Sequence, residues 1–179
     1  LNTCSIRENA EYKVYQRLNE LKKYKKRNPA LVVGIIGCMA ERLKSGLLSK
    51  KSVVDLVLGP DEYRKLPSLI DNFIDNGEKG MAVRLSRVET YEDIMPIRKD
   101  GIAAWISVMR GCDKFCSYCV VPFTRGRERS RELEGVTMEI QQLWIDGFRD
   151  VTLLGQNVNS YCSGDNDFAD LLRACAIAA

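Results

Sequence analysis

Apolar residues recur along this chain with two different periods, and the alternation between them lays out its organisation. From near Arg7 to Asn28 the spacing is helical, with Tyr12, Val14, Tyr15, Leu18 and Leu21 toward one side and charged or amide residues between them. Asn28-Pro29 ends that helix, because the residue before a proline is pushed out of helical backbone. Leu31-Val32-Val33-Gly34-Ile35-Ile36 is a continuous apolar run of strand length, the pattern of a strand buried on both faces of a parallel sheet. A helix from Glu41 to Lys50, a second buried strand over 53–59 and a helix over 61–75 follow. In the last, Leu66, Leu69, Ile70 and Phe73 face inward and Pro67 lies in the first turns. Strand and helix alternating at these lengths predict an α/β domain of the doubly wound kind.

Asn76-Gly77 breaks the pattern, and Met81 to Ile97 reads as an irregular, partly extended linker. A domain boundary near 98–101 gives one domain over 1–98 and a second over 99–179. The second domain opens on a strand over Ile102–Val108 and a cysteine-rich loop. An amphipathic helix follows, with Val136, Ile140, Leu143 and Trp144 at helical spacing and Gly147 ending it; Asp150–Leu154 is the next strand. Right-handed crossover puts the cysteine loop and Gly155-Gln156-Asn157 at the same, carboxyl end of the two strands. In open α/β sheets that edge is where sites form, and Cys4 and Cys38 each follow a strand of the first domain. They are therefore expected close together on one edge. The bland alternative for either is a small buried hydrophobe.

Composition narrows the classes. The chain has 179 residues, and 45% apolar content suffices for packed cores. No apolar run approaches the roughly 20 residues of a membrane span, and no signal-peptide pattern is present. A formal net charge of +3 is too mild to indicate a nucleic-acid partner by itself. Two basic stretches stand out. Lys22, Lys23, Lys25, Lys26 and Arg27 close the first helix, where the macrodipole favours cations; a patch facing a nucleic acid is the other reading. Arg125, Arg127, Arg129 and Arg131 alternate directly after the cysteine loop, where anion binding competes with a plain solvated surface. Leu1 is not an initiator methionine and the alanine-rich end stops inside a helical pattern, so the sequence is expected to be a piece of a longer protein.

The candidate chemistry lies in the cysteines. Seven cysteines and no histidine form an odd count with a clustered triplet, which suits metal ligation in a reducing compartment better than disulfides. Cys112, Cys116 and Cys119 stand at C-x3-C-x2-C spacing, close enough to converge on one soft centre. Structural zinc normally takes four Cys or His ligands, which this loop does not offer. Three thiolates on a 4Fe-4S cluster leave one iron open, and an open position is what chemistry needs.

With Tyr118 before its last cysteine, that triplet resembles the signature of the radical S-adenosylmethionine enzymes. Asn2-Thr3-Cys4-Ser5-Ile6-Arg7-Glu8, Gly37-Cys38-Met39-Ala40-Glu41-Arg42 and Val120-Val121-Pro122-Phe123-Thr124-Arg125-Gly126-Arg127-Glu128 narrow the resemblance to the methylthiotransferases. Within that family they are most similar to the branch acting on N6-dimethylallyladenosine in tRNA. The resemblance implies an N-terminal methylthiotransferase domain followed by the start of a partial (β/α)6 radical-SAM barrel. It implies two 4Fe-4S clusters: one held by Cys112, Cys116 and Cys119, and an auxiliary one held by Cys4, Cys38 and a third ligand on a strand before Leu1. S-adenosyl-L-methionine is used twice, once to methylate sulfur and once to make a radical that abstracts hydrogen from adenine C2. The implied partners are the anticodon stem-loop of tRNA and an electron donor such as flavodoxin or ferredoxin, in the cytoplasm.

Residue by residue, Tyr118 would pack beside cluster or adenine, or be an ordinary core aromatic. Gly155, Gln156 and Asn157 stand where many superfamily members carry Gly-Gly-Glu to hold the methionine amino group; here no carboxylate is present. Arg125, Arg127 and Arg129 would meet a tRNA phosphate or the cofactor carboxylate. Cys162 and Cys175 match no ligand position. The later barrel and the family's RNA-binding TRAM domain fall outside the sequence. Two alternatives stay open: a methylthiotransferase acting on threonylcarbamoyl-adenosine or on a ribosomal protein, and a non-catalytic iron–sulfur or zinc module.

Overall fold

The computed structural model describes every residue except Ile6, Lys50, Lys51 and Asp100. The Ile6 of the first motif, the end of the 41–50 helix and part of the expected boundary therefore lie outside the described residues. The chain divides into two compact units, Leu1–Ser86 with Phe115–Gly126, and Arg87–Lys114 with Arg127–Ala179. The division between Ser86 and Arg87 falls earlier than the 98–101 boundary expected from composition, and a segment of the cysteine loop is grouped with the first unit.

In the first unit, β1 (Asn2–Thr3), β2 (Gly34–Gly37), β3 (Leu56–Leu58) and β4 (Gly80–Ala82) form a parallel sheet in that order. The order follows the chain without the reversal that defines a doubly wound sheet, so among the described residues the fold is mixed α/β on a parallel, sequentially ordered sheet. β3 is buried at every position, as a strand covered on both faces must be. The sequence reading missed β4: three residues are too few to show a period, and Gly80 reads as a breaker. Its glycine lets Leu69 pack close, since a Cβ there would meet Leu69 Cδ2 at 2.7 Å.

Helix α1 (Glu8–Arg27) buries Leu18, with Val14 and Leu21 packed on the same core of Val33, Ile35, Met39, Val54 and Val57. Tyr12 and Tyr15 are exposed, contrary to the expected inward face. At about 100° per residue the true stripe runs Val14, Leu18, Leu21, Lys25, and the two tyrosines flank it. Lys25 ends that stripe half-buried, ion-paired with buried Asp55 and 5.3 Å from the Phe73 ring centroid. It is thus neither part of a solvated helix end nor of an RNA-facing patch. The helix expected over 41–50 is α2 (Cys38–Leu43) continued as a 3-10 turn to Leu48, and that over 61–75 is α3 (Leu66–Asn76), with Pro67 in its first turn.

In the second unit, β5 (Ala103–Ser107) pairs in parallel with β8 (Asp150–Leu154), from Ala103 opposite Asp150 to Ser107 opposite Leu154. A two-residue antiparallel ladder joins β6 (Met109–Arg110) to β7 (Arg129–Ser130). Between them in sequence lies α4 (Val121–Arg125), which belongs to the first unit. Helix α5 (Leu133–Ile145) and α6 (Phe168–Ala178) complete the unit over a core of Ile106, Val108, Met109, Val136, Ile140, Leu143, Phe148, Tyr161 and Leu171. Trp144 is partly exposed rather than core; its ring instead carries the Arg149 guanidinium, 3.9 Å from the centroid. Glu139 of α5 is buried between two cations, Arg98 and Arg131, the latter at 2.6 Å.

Candidate functional site

The carboxyl edge of the first sheet is set by one glycine. Gly37 has φ +99°, and a Cβ there would lie 2.6 Å from the Thr3 carbonyl oxygen and 2.8 Å from Asn2 Oδ1. A residue with a side chain would be both strained and blocked. The resulting close approach pairs Thr3 with Gly37, so Cys4 and Cys38 are the next residues off two neighbouring strands, which run about 4.8 Å apart. Thr3 Oγ1 donates to the Ile36 carbonyl at 2.8 Å and pins the same edge. That pairing starts both cysteine segments from the carboxyl edge of the sheet. Cys38 is 2% exposed and begins α2, whereas Cys4 is exposed.

The motif residues around these cysteines fasten the edge. Ser5 Oγ donates to Glu11 Oε1 at 2.8 Å, Arg42 Nε donates to Ser5 Oγ at 3.2 Å, and Arg42 also ion-pairs with Glu11. Glu41 is buried, with Lys44 3.5 Å from one oxygen and no hydrogen-bond partner on the other. Burial raises its carboxyl above the usual range; Lys44 opposes that, while nearby Asp61 and Glu62 add to it.

Phe115–Gly126 belongs to the same unit, and α4 packs against α2. Val121, Pro122 and Thr124 are buried along it. At its end, Arg125 Nε donates to Cys38 Sγ at 3.3 Å. Nothing in the sequence signals this contact between residues 87 positions apart. Within the segment Cys119 N donates to the Cys116 carbonyl at 2.9 Å, and Phe115, at φ +47°, meets Phe123 edge-on with centroids 6.0 Å apart. Cys116 is exposed and Cys119 half-buried; Tyr118 is 89% exposed, so it is not a core aromatic.

In the second unit Cys112 is buried beside Gly111, whose φ is +76°. Asp113 Oδ1 accepts from Glu128 N and from Arg127 Nε, each at 3.0 Å, just beyond the β6–β7 ladder. Arg127 is thus surface-exposed but ion-paired. Arg129 is buried, donating to the carbonyls of Glu89 at 3.1 Å and Arg127 at 3.0 Å, and Arg131 is buried against Glu139. The alternating arginines do not form one basic surface. Gly155 is glycine because a Cβ would meet buried Met109 Sδ at 2.8 Å. Gln156 is exposed, and Asn157 Nδ2 donates to Ser160 Oγ at 2.8 Å in the turn after β8. Cys162 is exposed, Cys175 packs on the core, and none of the seven cysteines is in a disulfide.

Among the described residues no three Cys, His, Asp or Glu side chains converge as they would around a metal ion. The donor chemistry nonetheless fits iron and sulfur: thiols at both places, a guanidinium on one sulfur, and no histidine anywhere.

Residues 1–59 match the model of Uncharacterized protein family UPF0004. Over 179 residues, 99% of the chain, it is 52% identical to the tRNA-2-methylthio-N(6)-dimethylallyladenosine synthase of Chloroherpeton thalassium. The chain is similar to that synthase almost end to end. The protein of the same name from Amoebophilus asiaticus is 56% identical over 163 residues, 90% of the chain, and that of Porphyromonas gingivalis is 50% identical over 185 aligned residues, 98% of the chain. The chain spans only 40%, 33% and 40% of these three synthases respectively. No described helix is long and apolar enough to cross a membrane.

Proposed function

We propose that the protein containing this chain is a tRNA methylthiotransferase that adds a methylthio group to C2 of N6-dimethylallyladenosine beside the anticodon, working in the cytoplasm. The observation that carries this reading is the 52% identity, across 99% of the chain, to a synthase of that name. The edge geometry supports it: Cys4 and Cys38 directly follow neighbouring parallel strands, where Thr3 pairs with Gly37.

In this reading Cys4 and Cys38 hold an auxiliary 4Fe-4S cluster together with a third thiolate elsewhere in the protein. Cys112, Cys116 and Cys119 hold the second, and the β5–α5–β8 unit is the start of the radical-SAM barrel. When bound, the clusters and S-adenosyl-L-methionine supply the electron transfer and radical chemistry. The chain's own residues supply order. Gly37 brings the two edge cysteines together, and the Ser5–Glu11–Arg42 contacts hold the segment after Cys4. Arg127 keeps Asp113 in place at the foot of the triplet loop. Of the arginines, Arg127 is the exposed one that could meet a tRNA phosphate, and Gln156 is the exposed amide near the β8 end.

The test is complementation. Full-length protein expressed in bacterial cells lacking the 2-methylthio mark should restore it, read by nucleoside mass spectrometry of bulk tRNA. A soluble, cluster-loaded protein that leaves the mark absent would overturn the reading.

A further inference from the structure

The contact between Arg125 and Cys38 is the feature that the sequence reading and the similarity to the synthases leave without a role. Arg125 closes α4 and Cys38 opens α2, and the two helices pack together within one unit. Three of the five residues of α4 are buried, and Gly126 follows at φ +72°, so the guanidinium sits on an anchored turn. Cys38 is equally fixed, buried to 2% exposure and positioned by the strained glycine before it. Both partners are held by their own packing, and the Nε–H points at sulfur.

A guanidinium N–H is a modest donor to a neutral thiol and a far better one to a sulfur carrying negative charge, because the bond is then charge-assisted. Iron–sulfur potentials respond to net charge and to hydrogen bonds on the sulfurs, and outer-shell partners orient the ligands they touch. We propose that Arg125 is a positioning residue for the auxiliary iron–sulfur site, holding Cys38 Sγ in its ligating direction and offsetting the negative charge that thiolate ligation places there. The proposal rests on Cys4 and Cys38 being ligands. It reassigns Arg125 from binding a phosphate or carboxylate to acting through a cysteine.

The experiment uses the full-length protein with Cys112, Cys116 and Cys119 all replaced by Ala, so that only the auxiliary site can load. After anaerobic reconstitution with iron and sulfide, three quantities are read: iron and sulfide content, midpoint potential, and the rate of iron loss to a chelator. Arg125→Gln is expected to load but to titrate at a lower potential, since a positive donor has gone from the reduced, more negative cluster. It should also lose iron roughly tenfold faster, the scale on which outer-shell changes weaken metal sites. Arg125→Lys keeps the charge without the planar Nε–H and should fall between the two. It also carries the test if thermal melts show that Arg125→Gln is unfolded.

Unchanged potential and unchanged iron loss in a folded variant overturn the proposal, and a drop in tRNA affinity alone would return Arg125 to anion binding. A Cys38→Ala protein that loads as much cluster as its parent overturns the ligand assignment, and the proposal with it. The two failures are separable, because the first leaves the cluster in place and the second removes the reason to expect one there.

Discussion

The two cysteine sites are built on opposite principles. Cys4 and Cys38 leave paired strands, and backbone hydrogen bonding sets the residues just before them side by side at a cost concentrated in one glycine. Cys112, Cys116 and Cys119 sit on a loop that runs out from a two-residue ladder, and among the described residues no strand pairing sets one beside another. A strand edge pre-forms a site; a loop leaves metal binding to complete it, and binding energy then becomes folding energy. Mutations at the two places should therefore fail differently.

The largest effect is expected at the loop. Cys116→Ala in reconstituted full-length protein should abolish reductive cleavage of S-adenosyl-L-methionine, measured as 5′-deoxyadenosine, because a three-thiolate site loses a third of its anchors. Full cleavage would remove the triplet from the mechanism. At the edge, Cys4→Ala or Cys38→Ala should stop methylthiolation while some 5′-deoxyadenosine still forms. Methylthiolation at parental rates would leave Cys38 as the small buried hydrophobe of the bland alternative and Cys4 as a surface thiol.

Stability effects rank below these. Glu139→Ala strands Arg98 and Arg131 in the second unit's interior and should cost about 3–5 kcal/mol in urea unfolding. Gly37→Ala forces a side chain into left-handed backbone against Thr3 and should cost about 1–3 kcal/mol from the backbone alone. If it were neutral, the pairing of Thr3 with Gly37 would not be what holds the edge. The smallest effect concerns pH. Burial raises the Glu41 carboxyl in the folded state, so the folded protein holds a proton that the unfolded chain releases at lower pH. Its contribution is present below the unfolded value and is lost as pH rises through the folded one. Glu41→Gln should therefore remove part of the stability decline between mildly acidic and neutral pH, seen in melts across that range.

How much of this could be read from the chain depended on the kind of signal. Asp150–Leu154 was legible because a short apolar run follows the glycine that ends α5 by a few residues and stops directly at Gly155. The pairing of β1 with β2 just before Cys4 and Cys38 was legible because two apolar strands around one helix favour parallel neighbours. Tyr12 and Tyr15 misled because aromatic character was weighed above angular position on α1. β4 was too short to carry a period. The arginines at 129 and 131 read as an anion-binding or solvated stretch because charge patterning is silent on burial; Glu139 and the carbonyls of Glu89, Arg127 and Ser107 hold them inside. Arg125 on Cys38 had no signal at all, since a hydrogen bond across 87 residues depends on the finished packing.

The capture of Lys25 by Asp55 reaches beyond the packing of α1. Cations bind a nucleic-acid backbone largely by displacing its condensed counterions, and each phosphate neutralised steepens the fall of affinity with salt by roughly 0.7–0.9 in logarithmic slope. A lysine already committed to an interior carboxylate displaces none. An RNA lying along the end of this helix would meet Lys22, Lys23, Lys26 and Arg27 alone, and its salt titration would be shallower than the run of five positive charges suggests.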